Sequence, residues 1–249
     1  MRNLFVLCLI LLFATNGKAQ FGKLIDKAKK SDVYKKANDV LGEDNGLDIA
    51  GGLKEALEKG VDEAVTKLSG ENGYLESPYK ILLPEEARFV VDRLKVVPGF
   101  SGVEQDLIEK MNAAAEIATK KATPIFSNAI RSMSFDDARK ILLGADDEAT
   151  QYLSRTSRAK LYDEFMPVIQ SSLDEVNARK YWKSVIDKYN SLPFVSKVNP
   201  ELDDHVNNKS LDGLFALIQK KEAGIRNDVS QRTSPLLKDV FAELDKNDK

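Results

Sequence analysis

Apolar residues after position 50 recur every three or four positions, the spacing that places side chains on one face of an α-helix. The clearest stripe is formed by Leu53, Leu57, Val61, Val65 and Leu68. Alternation of apolar and polar residues, which is typical of a half-buried β-strand, is almost absent. The pattern therefore predicts an all-α fold.

Prolines and helix-capping residues divide this pattern into about ten helices. Pro124, Pro167 and Pro193 interrupt apolar stretches, so each is expected to kink or end a helix. Because most connections are short, successive helices should be neighbours in one compact, bundle-like domain over residues 50–245. The predicted helices span residues 50–69, 84–97, 102–121, 123–132, 135–143, 147–155, 157–176, 178–191, 200–225 and 235–244.

Residues 73–84, with the sequence GYLESPYKILLP, are the exception to the helical pattern. Aromatic and branched side chains are concentrated here between Gly73 and Pro84, a composition that favours extended structure bounded by turn residues. We therefore expect a loop or one small β-hairpin in this stretch.

The first 19 residues have the pattern of a signal peptide. Arg2 precedes an apolar run over residues 4–14, and the small residues Gly17 and Ala19 stand where a signal peptidase cleaves. The run is shorter than the roughly 20 residues that a membrane-spanning helix needs. We expect cleavage near Ala19 and a periplasmic or secreted protein.

Residues 20–49 predict a mobile, basic lead-in to the helical domain. Six lysines from Lys23 to Lys36 crowd two short helical patterns, and the sequence GEDNG then ends them. A solvated face near a chain end is the simpler interpretation. The alternative is weak contact with an anionic membrane surface, where each lysine contributes about 1 kcal/mol.

The composition of the mature chain excludes several chemistries. Removing Arg2 and Lys18 with the signal peptide leaves 35 of the 37 Lys and Arg residues against 39 Asp and Glu, which gives no basis for nucleic-acid binding. Cys8 lies in the signal peptide and His205 is the sole histidine, so disulfides and zinc sites built on paired His or Cys ligands are excluded. We predict no metal site and no cofactor.

The sequence GADDEATQYL, residues 144–153, places three acids behind a glycine. Ser134 and Asp137 are spaced as a capping box for the preceding helix, which Gly144 is expected to terminate. Asp146 could cap the next helix, with Asp147 and Glu148 in its first turn near the positive end of the helix dipole. Structural roles therefore account for all three acids.

Asp212 and Gly213 stand inside an otherwise helical stretch, KSLDGLFALI. A glycine within a helix lowers stability by about 1 kcal/mol relative to alanine, so the fold should gain something in return. We expect that gain to be the close approach of another helix. If the face that carries Phe215 points inward, Asp212 is buried and needs a cation such as Arg155, Arg226 or Arg232. We predict a structural ion pair there.

Several stretches together resemble a family of exported bacterial proteins known as domain of unknown function 4197. They are GLKEALEKGVDEAV, SMSFDDARKILLGADDEATQYL, SLDEV, NPELDD, KSLDGLFALIQKKEAGIRND and RTSPLLKDVF, and they run from about residue 51 to residue 241. The resemblance implies an all-α exported protein of Gram-negative bacteria and transfers no activity, ligand or catalytic residue. It matches the family pattern at Asp146, Asp147, Thr150, Gln151, Asp212 and Gly213, which are our candidates for binding a ligand or partner.

Three hypotheses for function remain. The favoured one is a non-catalytic periplasmic protein that binds an envelope protein or a small hydrophobic ligand in a groove between helices. The second is an enzyme whose carboxylates, Asp146, Asp147 and Asp212, meet in one cleft. The third is a carrier of lipid or another hydrophobic ligand, which requires an internal cavity lined by residues such as Phe165, Trp182 and Phe215.

Overall fold

The computed structural model describes residues 49–85, 102–175, 177–199, 201–232 and 234–245, and these residues fold as helices without a β-strand. The predicted signal peptide and the lysine-rich lead-in lie outside the described residues. The helices are α1 Ile49–Leu68, α2 Val103–Thr119, α3 Ala122–Arg131, α4 Phe135–Leu143, α5 Glu148–Asp174, α6 Ala178–Asn190, α7 Leu202–Asn227 and α8 Pro235–Asp245, with a 3₁₀ turn at Val229–Gln231.

The all-α prediction is confirmed, whereas the prediction of ten helices is not. Most of the predicted helix at 84–97 lies outside the described residues. The two helices predicted at 147–155 and 157–176 are one helix, α5, within which the Thr156 hydroxyl donates to the Tyr152 carbonyl at 2.8 Å.

The three prolines act differently from one another. Pro167 lies inside α5 and does not end it; Phe165 and Ile169 are buried on either side, so packing offsets the roughly 3 kcal/mol that an internal proline costs. Pro124 lies in the first turn of α3, where its missing N–H has no helical acceptor to lose. Pro193 follows the end of α6, as predicted.

Of the two structures expected for residues 73–84, a loop or a small hairpin, the structure has the loop, and the hairpin is not confirmed. Turns end at Tyr79 and the chain then runs extended without a partner strand. The side chain of Asn112 on α2 replaces that strand: its Nδ2 donates to the Ile81 carbonyl at 2.9 Å, and the Ile81 N–H donates to its Oδ1 at 2.8 Å. One amide supplies the donor and the acceptor that a neighbouring backbone would have given.

Helices α5 and α7 pack against each other at the centre of the core, α2 and α3 pack on α5, and α1 packs on α7. Phe126 of α3 and Phe215 of α7 meet edge to face with ring centroids 5.6 Å apart. Tyr74 is fully buried beside them in the core, and burial raises the pKa of its phenol. Its hydroxyl donates to the Ser210 carbonyl on α7 at 2.8 Å, which ties the turns before residue 80 to α7.

The chain divides into two compact units. Residues 49–238 form one, which contains all the contacts considered below. The other comprises the two chain ends, of which only residues 239–245, helical throughout, are described. Among the described residues, no helix combines the length and the apolar character needed to cross a membrane.

Candidate functional site

The acids at 146–148 lie at the junction between α4 and α5. Asp147 is the residue that precedes α5, and its carboxylate accepts hydrogen bonds from the side chains of Gln151 at 2.9 Å and Gln219 at 3.2 Å. Asp146 accepts from Asn227 at 3.3 Å. The predicted capping role of Asp146 is therefore wrong. The capping box of Ser134 on α4, by contrast, is confirmed.

The cap of α5 comes from α7, through Glu222. The Glu222 carboxylate accepts the backbone N–H of Ala149 at 2.9 Å, the backbone N–H of Thr150 at 2.8 Å and the Thr150 hydroxyl at 2.7 Å. A carboxylate at this end of a helix also meets the positive end of its dipole. The candidate residue Thr150 is therefore held by a partner 72 positions away.

Arg226, one turn after Glu222, closes the other side of the junction. Its guanidinium donates to Glu222 Oε1 at 2.9 Å and to the carbonyls of Ile141 at 2.7 Å and Leu142 at 3.2 Å, both in the last turn of α4. Both side chains are nearly buried, with 8% of Arg226 and 7% of Glu222 exposed. One ion pair thus supplies hydrogen-bond partners to backbone carbonyls at the end of α4 and to backbone N–H groups at the start of α5.

Sequence reasoning missed Glu222. The signal was its position: Leu211, Phe215, Ile218 and Glu222 follow one another at four, three and four residues on α7, and all four are buried. An acid on an apolar stripe needs a partner, because a buried charge is costly unless it is hydrogen-bonded. The stripe could have identified Glu222, although not the helix end that it caps.

Asp212 forms an ion pair, but neither the predicted burial nor the predicted partners are correct. Its side chain is 52% exposed, and its Oδ1 accepts from Arg158 at 2.6 Å, with Lys209 at 4.0 Å. Exposed pairs of this kind contribute about 0–1 kcal/mol. The three arginines that the sequence proposed lie elsewhere: Arg226 binds Glu222, Arg155 lies 3.7 Å from Glu148, and Arg232 donates to backbone carbonyls at the end of α7.

The structure does not bring Asp146, Asp147 and Asp212 together. Asp147 contacts Gln219, which follows Asp212 by seven positions, or about 10 Å along the axis of α7. Within the described ranges, no group of three or more His, Cys, Asp or Glu side chains is placed to hold a metal ion. The cleft that the enzyme hypothesis requires is not formed by these residues.

Gly213 permits close approach, although of the turns before residue 80 and not of another helix. A methyl group at this position would lie 3.0 Å from the Tyr79 Cβ and 3.1 Å from Tyr74 Cε1. Both distances are tighter than ordinary van der Waals contact. The missing side chain lets this segment lie directly against α7.

Two matched substitutions test this role. At Gly60, inside α1, a methyl group would meet nothing within 4 Å, so Gly60→Ala should stabilise the fold by up to about 1 kcal/mol. Gly213→Ala gains the same helix propensity, but its methyl group pushes against Tyr74 and Tyr79, which lowers stability by about 1–3 kcal/mol. Urea unfolding should therefore rank Gly60→Ala above Gly213→Ala, and equal stabilisation would contradict the close approach.

A groove lies on this side of α7. Its larger pocket, of about 630 Å³, is lined by residues 78–85 on one side and by α7 on the other. A second pocket, of about 320 Å³, continues toward Trp182 and Val198. The two pockets share Pro84, His205, Lys209 and Asp212, so they form one continuous groove, called the α7 groove below.

The floor of the α7 groove is a polar stripe of one helix. The α7 residues that line the two pockets recur at intervals of one, three and four positions, which places them on one face: Asp204, His205, Asn208, Lys209, Asp212, Gly213 and Ala216. His205 Nε2 lies 2.9 Å from the Leu82 carbonyl, a contact that joins α7 to the opposite wall. His205 is half-buried and connects the two walls of the groove.

Three acids that line the groove, Asp204, Glu201 and Asp212, have partners. Asp204 accepts the Tyr162 hydroxyl at 2.6 Å, and this hydrogen bond, with burial, raises the pKa of Tyr162 to about 12. Glu201 lies 3.7 Å from Lys183. Asp212 pairs with Arg158, so two of these three acids lie beside cations, whereas Asp204 keeps its charge among neutral hydrogen-bond donors.

The family model described as Protein of unknown function (DUF4197) matches residues 45–242. The chain belongs to this family. No curated protein and no solved structure matches it. In this DUF4197 chain, the matched range includes the whole α7 groove and the Glu222–Arg226 pair.

The candidate positions of this DUF4197 chain separate into two groups. Thr150 is fixed by Glu222, and Asp147 binds Gln151 and Gln219, so these residues fasten the start of α5 to α7. Asp212 and Gly213 instead line the α7 groove.

Proposed function

We propose that this chain is an exported, non-catalytic protein that binds a ligand or partner in the α7 groove. The observation that carries the proposal is the continuity of the two pockets, which share four residues along one face of α7. Together their size falls in the range of about 300–1,000 Å³ that is typical of ligand sites. Export is proposed from the signal-peptide pattern of the first 19 residues.

A binding role fits the groove better than catalysis does. Each carboxylate named in the enzyme hypothesis is bonded to a separate partner, Asp146 to Asn227, Asp147 to two glutamines and Asp212 to Arg158. A general acid or base needs a side chain that faces the reacting atom and is matched in pKa to its task. The groove instead offers a wall of mixed apolar and polar groups.

An internal carrier cavity is a weaker candidate. Phe165 and Phe215, two of the residues expected to line it, are packed in the core cluster and belong to neither pocket of the α7 groove. Trp182 alone of the three reaches the groove. A ligand would therefore lie along the surface of α7 and not inside the bundle.

Native mass spectrometry of the protein purified gently from its own envelope tests the proposal. We expect wild-type protein to carry an adduct or a stoichiometric partner, and Lys209→Glu, which reverses a charge on the groove floor, to lose it. Lys121→Glu is the matched control, because Lys121 is exposed and lies outside both pockets. Equal adducts on all three proteins, or none on wild type, would overturn binding in the groove.

The same spectra test export. We expect the mass of a chain that begins at Gln20, recovered with the envelope fraction. A full-length chain that retains Met1 and is found in the cytoplasm would refute export without affecting the groove.

A further inference from the structure

The loop between α6 and α7 presents three consecutive apolar side chains to solvent. Phe194 is fully exposed, Leu192 is 54% exposed, and the exposed Pro193 lies between them. No other large apolar side chain among the described residues is as exposed as Phe194. Single exposed apolar residues are common on protein surfaces, but a run of them calls for an explanation. Residues 192–194 are called the apolar tip below.

The backbone at Phe194 is held in the left-handed region, with a φ of 63°. Only two other non-glycine residues of the described chain have a positive φ, and both are asparagines, Asn72 and Asn177, a residue type that adopts this conformation readily. A positive φ directly after a proline is typical of the third position of a type II turn, which glycine or asparagine normally occupies. Phenylalanine is therefore unfavourable for the fold here, both in its backbone and in its exposure.

Contacts at the base of the loop fix its position. The Asn190 side chain donates to the Val198 carbonyl at 2.8 Å and accepts the Val198 N–H at 2.9 Å, which closes the loop. Val198 is buried in the core, and Tyr189 packs against the core just before Asn190. The apolar tip thus extends into solvent from a base that the fold holds in place.

The charge around the apolar tip suits an anionic surface. The stretch from residue 188 to residue 200 contains two lysines, Lys188 and Lys197, and no acid. Lys197 is exposed, and within the described ranges it forms no ion pair. The acids that flank this stretch, Asp187 and Glu201, lie 3.6 Å and 3.7 Å from Lys183. Exposed Leu and Phe beside lysines are typical of segments that lie in the interface of an anionic bilayer.

We infer that the loop over residues 191–197 inserts its apolar tip into the interface of an anionic lipid bilayer, with Lys197 beside the lipid phosphates. A small molecule needs a concave site, which a protruding tip does not offer, whereas a bilayer interface accepts the tip without a shaped pocket. Insertion buries Phe194, which accounts for a phenylalanine where glycine would suit the backbone better. The apolar tip lines neither pocket of the α7 groove, so the inference is independent of binding there.

Co-sedimentation with vesicles tests the inference on the chain that begins at Gln20. The vesicles contain phosphatidylcholine and phosphatidylglycerol at about three to one, or phosphatidylcholine alone. We expect wild type to bind the anionic vesicles and Phe194→Gly to bind them about tenfold more weakly, because the variant loses a phenylalanine side chain that insertion buries. Phe135→Ala is the matched control: Phe135 is exposed at the start of α4, and its replacement should leave vesicle binding unchanged.

The same variant separates binding from folding. Glycine adopts a positive φ without strain, so Phe194→Gly should unfold at no lower a urea concentration than wild type while it loses vesicle binding. Lys197→Gln should weaken binding to the anionic vesicles about fivefold. Equal vesicle binding by wild type and Phe194→Gly would overturn the inference, because the lysines of residues 20–49 would then account for the binding.

A fluorescent label locates the contact. A chain that begins at Gln20 lacks Cys8, the only cysteine, so Ser196→Cys takes one environment-sensitive dye next to the apolar tip. We expect its emission to move to shorter wavelength with anionic vesicles, whereas the same dye on Lys121→Cys, on an exposed residue far along the chain, keeps its emission. An unchanged spectrum at Ser196→Cys would contradict insertion. A protein partner at the tip would leave both vesicle tests negative and would reject the inference.

Discussion

Replacing Glu222 with alanine should lower the free energy of unfolding by about 3–5 kcal/mol, the largest effect that we expect from one substitution. The change removes the cap of α5 and leaves Arg226 buried without its anion. It also frees the Thr150 hydroxyl, which has Glu222 as its partner. Urea unfolding followed by far-UV circular dichroism measures the loss directly.

Glu164 on α5 provides the matched control, because it is exposed and Glu164→Ala should change stability by less than about 0.5 kcal/mol. Replacing both members of the buried pair, as in Glu222→Gln with Arg226→Met, should not restore stability. The reason is that the pair also satisfies backbone groups of α4 and α5. A double variant as stable as wild type would show that the helix ends do not depend on the pair.

Replacing Asn112 with leucine should cost about 3 kcal/mol. Asn112 is fully buried, and leucine of similar size leaves both the N–H and the carbonyl of Ile81 without partners, at about 1–3 kcal/mol each. The extended segment after Lys80, which forms one wall of the α7 groove, would lose its attachment to α2. We therefore expect the Ile81 amide to exchange its hydrogen much faster in this variant.

Hydrogen exchange and urea unfolding of Asn128→Leu give the comparison for this prediction. Asn128 is exposed on α3, so its replacement should leave both the stability and the exchange of the Ile81 amide close to wild type. An Asn112→Leu protein with a protected Ile81 amide would mean that the extended segment is held by contacts other than this side chain.

Local patterns were enough to locate most helices. The apolar stripe of α1 and the capping box of α4 predicted their elements, because periodicity and caps are properties of neighbouring residues. The same reasoning failed at Pro167. Here the burial of Phe165 and Ile169, on either side of the proline in α5, outweighs the tendency of proline to end a helix. At residues 80–84 this reasoning could not decide between a loop and a hairpin, because the backbone of Ile81 pairs with the side chain of Asn112, 31 positions away, and not with a second strand.

The candidate site was harder to predict from the sequence than the helices were, for a physical reason. The contacts that decide the roles of Thr150 and Asp212 come from Glu222 and Arg158, which are 72 and 54 positions away. No pattern within one helix predicts which residue of a distant helix will face it.

The Glu222–Arg226 pair also bears on when the fold can be completed. Both residues lie in the last third of α7, so a ribosome makes them after every residue of α4 and α5. Until both residues are present, backbone carbonyl and N–H groups at the junction between those two helices have no hydrogen-bond partner among neighbouring residues. A chain truncated before residue 222 should accordingly be cut by protease at residues 144–148, whereas the chain that runs past residue 226 should resist.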